Sequence, residues 1–135
     1  APGGRKGGYA GYYIHLEPGA SFTGGGAYMP ASPNLKAIRK EIYHHVDEFI
    51  EIIESDEFRN HFGSLDVIEK LKTAPQGFPK DFEHIDLLNH KSYTASKALP
   101  DDLLTSENLT DEILGAFEAL YPMNYFLNEA IENHA

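Results

Sequence analysis

The sequence contains no cysteine. That absence excludes a disulfide framework, a zinc ribbon and a thiol nucleophile, and it fits a reducing, cytoplasmic setting. No apolar run approaches the roughly 18 residues a helix needs to cross a bilayer, so no membrane span is expected. Positive charge is scarce: 11 Lys and Arg stand against 21 Asp and Glu, a net charge of −10. Such a surface repels phosphate backbones and anionic lipid, which sets nucleic acid and membrane surfaces aside as partners. Internal repeats are missing, as is any motif that calls for a cofactor. There is no initiator methionine and no charged-then-apolar signal segment. The opening run Ala1-Pro2-Gly3-Gly4-Arg5-Lys6-Gly7-Gly8 reads as the start of a glycine-rich loop (residues 1–10) cut from something longer.

What is present suffices for one folded domain. The 135 residues are 41% apolar and 12% aromatic, enough for a real core. Gly11-Tyr12-Tyr13-Ile14-His15-Leu16-Glu17 is rich in aromatic and β-branched residues and reads as a strand. Pro18-Gly19 is a turn signal, and Ser21 to Met29 returns as a second strand, giving a hairpin over 11–30. Gly24-Gly25-Gly26 inside it suggests a bulge, a sharp twist or a close backbone neighbour.

Ser32-Pro33 is a helix start, and Leu35, Ile38, Ile42, Val46, Phe49 and Ile53 follow at helical spacing for about 20 residues. Ser55 caps a short second helix that Gly63 closes, so helices occupy 33–62. Residues 64–90 are irregular, with Phe78 as an anchor and one helical turn near Ile85, Leu87 and Leu88. Residues 91–97 alternate as a strand, with Ser92, Thr94 and Ser96 read as a solvent-facing polar edge. A last helix spans 107–134, and Pro122 is expected to kink or break it. The fold class is therefore α+β: an antiparallel sheet with a glycine-rich hairpin, packed against amphipathic helices.

Chemistry is best sought on the hairpin. Alternation puts Tyr13, His15 and Glu17 on one face and Tyr12, Ile14 and Leu16 on the other, the natural core face. The imidazole then stands roughly 7 Å along the strand from both the phenol and the carboxylate. Gly24 and Gly26 of the returning strand would leave an open shelf beside it, and Lys91 adds a cation for a small ligand. The plainer reading is that Tyr13 packs, His15 bonds a neighbour and Glu17 is a solvated strand end. The glycine triplet lacks the Lys-Ser/Thr of a phosphate loop and opens no helix, so a structural bend is favoured. His84, Asp86 and His90 form a weak metal set that needs ligands from elsewhere, and a capping role is favoured for them. Asn124 falls on the apolar stripe of the last helix. It is read as satisfying backbone freed by Pro122, or as pointing into a pocket under the hairpin.

Three stretches carry a likeness to a known family. They are Gly11 to Gly19 followed by Ser21, Gly24-Gly25-Gly26 and Tyr28-Met29-Pro30; Lys72 to Pro79 in a Lys-x-x-Pro-x-Gly-Phe-Pro pattern; and Asp86-Leu87-Leu88 leading to Lys91-Ser92. Together they resemble the bacterial domain of unknown function 2461 family, conserved hypothetical proteins. The resemblance covers the later part of the family's length and implies a missing upstream section. It brings no reaction, cofactor or catalytic residue with it. Three function classes follow. The first is a binding or interaction domain, which includes homo-oligomer formation or association with a missing N-terminal section. The second is a small-molecule enzyme or ligand-binding protein using the Tyr/His/Glu face. The third, and weakest, is a metal-dependent hydrolase.

Overall fold

The structure is a computed structural model that describes residues 9–134, so most of the glycine-rich opening loop lies outside it. The hairpin forms as β1 (Gly11–His15) and β2 (Phe22–Ala27), and β3 (Tyr93–Ala98) joins the other side of β2. The sheet is antiparallel in the order β1-β2-β3. At the connecting turn the Ala20 amide donates to the Glu17 carbonyl (2.8 Å) and Gly19 takes φ +82°. These are the features of a turn with Pro at its second position and Gly at its third.

The helices are α1 (Ser32–His44), α2 (Val46–Ile53), α3 (Asp56–Phe62), α4 (Ile85–Leu88), α5 (Asp101–Leu104) and α6 (Leu109–His134). Pro33 sits at the start of α1, but Ala31 rather than Ser32 is the cap residue. The single long helix expected after Pro33 is two. His45 (φ −132°, ψ 46°) leaves the helical region, and beyond it Phe49 meets Phe126 and Tyr93 with ring centroids 5.2 and 6.2 Å apart. Ser55 does cap α3, accepting from the Phe58 amide at 3.2 Å.

Helix α6 sets the architecture. It crosses one face of the sheet diagonally. Glu112 in its first turns pairs with Lys97 on β3, Leu120 lies over Gly25 on β2, and Asn124 reaches Gly11 on β1. Pro122 does not break it. Pro122 and Glu118 both lie on the exposed side, so the carbonyl left without a donor faces water. Beneath α6 the core unites Ile38 and Ile42 of α1 with Phe49, Phe58, Leu88, Tyr93, Met123 and Leu127, all fully buried.

The glycine triplet is a close-packing device. A Cβ at Gly24, Gly25 or Gly26 would fall 2.1, 2.0 or 2.1 Å from the carbonyl oxygens of Ala95, Gly11 and Tyr93 respectively. Neighbouring strand backbone fills the space, so no open shelf exists there, and Gly24 is itself buried.

Candidate functional site

Period-two alternation holds along β1, but the burial expected from it does not. Ile14 is 46% exposed and Leu16 62%. The reason is the diagonal path of α6, which lies at β3 on the rung of Ile14 (Glu112 pairs with Lys97, in register with Thr23 and Ile14) and reaches β1 only at its beginning, where Asn124 meets Gly11. Tyr12 of that row has a helix partner, with its ring 5.0 Å from Phe117. Burial raises the Tyr12 pKa, and its contact with Asn124 opposes the rise.

The opposite row is also open. Tyr13 pairs with Gly24, Gly11 with Gly26, and His15 with Phe22. The Phe22 ring lies between the two side chains, edge-on to Tyr13 at 5.6 Å and stacked with His15 at 5.1 Å. His15 Nε2 meets Glu17 Oε1 at 2.8 Å, with the two side chains 47% and 60% exposed. The imidazole and carboxylate therefore do come together, on open surface. Burial raises the Tyr13 pKa, and the nearby Asp66 carboxylate adds to it. Lys91 is not brought to this face. It pairs with Glu69 at 3.2 Å and lines a small cleft with Met29, Leu35 and Arg39.

No group of three His, Cys, Asp or Glu side chains among the described residues has the arrangement of a metal site. His84 precedes α4 beside Glu83, Asp86 lies in its first turn, and His90 packs against the Tyr93 ring at 5.4 Å.

Sequence reasoning missed how β1 is held. Asn128 Oδ1 accepts from the Ala10 amide at 2.8 Å, and its Nδ2 lies 3.4 Å from the Ala10 carbonyl. Asn124 Nδ2 donates to the Gly11 carbonyl at 2.9 Å, and Tyr9 donates to Glu132 at 3.0 Å. One face of α6, at spacing i, i+4, i+8, thus grips the chain entering β1 as a partner strand would. Asn124 is therefore committed to the β1 backbone and not to the Glu118 carbonyl that Pro122 leaves without a donor. The repeat Asn124-x-x-x-Asn128-x-x-x-Glu132 was the available signal.

The outer edge of β1 has no strand partner among the described residues. On α6, Leu114 (53%), Tyr121 (59%) and Tyr125 (56%) are exposed, and Tyr121 lies near enough to Tyr12 of β1 to help raise its pKa. The Tyr121 and Tyr125 rings are 6.0 Å apart. An unpaired edge flanked by apolar groups on both sides can accept a further strand.

The profile of one protein family, described as "Conserved hypothetical protein (DUF2461)", matches residues 1–126. The chain belongs to that family. The match runs from the first residue through most of α6 and gives no support to a reading of the chain as only the later part of the family's length. No curated protein and no solved structure matches the chain. The family description attaches no activity, so function has to be argued from the β1 edge itself. No helix among the described residues is long and apolar enough to cross a membrane.

Proposed function

We propose that this member of the DUF2461 family is an interaction domain whose β1 edge receives an extended, basic segment of polypeptide as a fourth strand. One observation carries the reading: among the described residues β1 has no strand partner along its outer edge, and it exposes large apolar side chains on both of its faces. A strand laid there would gain main-chain hydrogen bonds. Its alternate side chains would contact Tyr12 and Ile14 with the α6 row on one side, and Tyr13 and His15 on the other. In this reading Tyr13, His15 and Glu17 are contact residues, with Glu17 a receptor for a cationic side chain at the end of the strand.

Charge selects the partner. The chain carries a net charge of −10, so a second copy would bring like charge to like, whereas a basic strand is attracted. The test uses a synthetic peptide of roughly ten residues, the upper length of a strand, alternating lysine with valine and tyrosine. Saturable binding that weakens with added salt is expected. It should vanish when the lysines become glutamates, and it should vanish in the double variant Ile14→Lys, Leu16→Lys. Equal binding of the acidic peptide, or undiminished binding by the double variant, contradicts the proposal. So does a stable homodimer at micromolar concentration by light scattering.

A further inference from the structure

A second feature stands apart from the β1 edge and does not depend on it. Where α3, β3 and α6 meet, three titratable side chains touch in series. Lys97 of β3, with its side chain only 20% exposed, pairs with Glu112 of α6 and brings its ammonium 3.0 Å from Nδ1 of half-buried His61 on α3. An ammonium can only donate, so Nδ1 accepts, and the imidazole is neutral with its proton on Nε2. The ring also lies close against α6: a Cβ at Gly115 would stand 3.3 Å from its Cε1. A proton on Nδ1 would remove the acceptor and set cation against cation.

The contact lies where it can hold the cover of the β3 edge in place. Phe58 is fully buried and fixes the start of α3 in the core. The other end of α3 runs through Gly63 (φ +77°) into the segment whose Asp66 amide donates to the Thr94 carbonyl and whose Asp66 carboxylate accepts from Thr94 and Ser96. His61 ties that end of the helix to the strand being covered. The charged groups acting on its ring are Lys97 from β3, Glu112 from α6 and Glu57 from α3 itself. Burial holds the His61 pKa below its ordinary 6.5, Lys97 adds to the fall, and Glu112 and Glu57 oppose it. A released, solvated imidazole therefore binds protons more readily than the docked one. The contribution of the contact is complete above pH 6.5 and is lost as pH falls below it.

We propose that His61 is a proton-operated latch: neutral, it binds the end of α3 to Lys97, and protonated, it lets go, so that residues 61–66 loosen from the β3 edge. The test is amide hydrogen exchange of the intact protein by NMR between about pH 7.5 and 5.5, with each rate divided by that of an unstructured amide at the same pH. Protection of the Gly63 and Asp66 amides should fall roughly fivefold on acidification, while residues 11–15 keep theirs. Ring nitrogen shifts should show the Nε2–H tautomer of His61 at the higher pH. His61→Asn, which keeps a neutral acceptor near the place of Nδ1, should remove the acid sensitivity of the Asp66 amide. Lys97→Met should raise the titration midpoint of His61, since only the two carboxylates then act on it. The proposal is overturned if Nδ1 carries the proton at the higher pH, or if protection at residues 63–66 does not change with pH. It is equally overturned if protection falls alike at residues 11–15 and 63–66, if His61→Asn loses it as steeply as the natural chain, or if Lys97→Met leaves the midpoint where it was.

Discussion

At the β3 edge of the sheet, the Asp66 amide donates to the Thr94 carbonyl at 2.9 Å, and its carboxylate accepts from the Thr94 and Ser96 hydroxyls, each at 3.0 Å. Lys97 on the same strand is held by His61 at 3.0 Å and by Glu112. At the β1 edge no described residue supplies anything comparable beyond Gly11. The Asn124 and Asn128 clamps fix the entry of the strand, and from Tyr12 to His15 its side chains are exposed. One edge is thus closed by a loop that supplies both backbone and side-chain partners, and the other is anchored at one end and left open by the described residues. Edge strands invite pairing, and folded proteins ordinarily blunt them with charge, proline or a covering segment. The β3 edge follows that pattern, whereas β1 presents two tyrosines and an isoleucine, with Leu16 just beyond its end. The contrast is the main reason to assign interaction to β1.

The comparison can be broken by force at the seam between the strands. Gly25→Ala should have the largest effect, because the new Cβ would meet both the Gly11 carbonyl and the Leu120 side chain. A loss of about 3 kcal/mol is expected from the urea midpoint, with β1 separating from β2. Asp66→Ala comes next. It removes the acceptor for two hydroxyls on the closed edge and should cost about 2 kcal/mol. Amide exchange should then accelerate at residues 93–98 and stay unchanged at 11–15.

Acidification sharpens the same contrast. The His90 pKa is lowered from 6.5 to about 4, first by burial and then by Lys70 and Arg39, against the opposing Asp86. The unfolded chain therefore binds more protons in that interval, so the stability His90 contributes is complete above pH 6.5 and is lost as pH falls toward 4. His90 bridges Lys70 just before β3, so loosening should begin at the closed edge. His90→Gln should flatten the decline in thermal midpoint over that range. The smallest effect is expected from Ile14→Lys with Leu16→Lys. Both positions are already wet, and stability should change by no more than about 0.5 kcal/mol.

These differences also mark what was legible in the residues. Local signals read true: the Pro18-Gly19 turn, Pro33 at a helix start, the Ser55 cap, and the helical turn at Ile85–Leu88 each depend on neighbours in sequence. What failed depended on distant partners. Alternation sorts Tyr13 and His15 from Tyr12 and Ile14, but which row is covered depends on where α6 crosses, about a hundred residues later in the chain. Ser92 and Thr94 looked like a wet polar edge and are buried, at 2% and 1% exposure. Ser92 is taken up by the Met29 amide, and Thr94 by Asp66. The break at His45 has neither Gly nor Pro to announce it.

The most direct measurement is amide hydrogen exchange of the intact protein with and without the basic strand peptide. If β1 is a receiving edge, residues 11–15 become protected on binding while residues 93–98 keep their rates. Binding that leaves β1 exchange unchanged, or that protects β3 instead, contradicts the account.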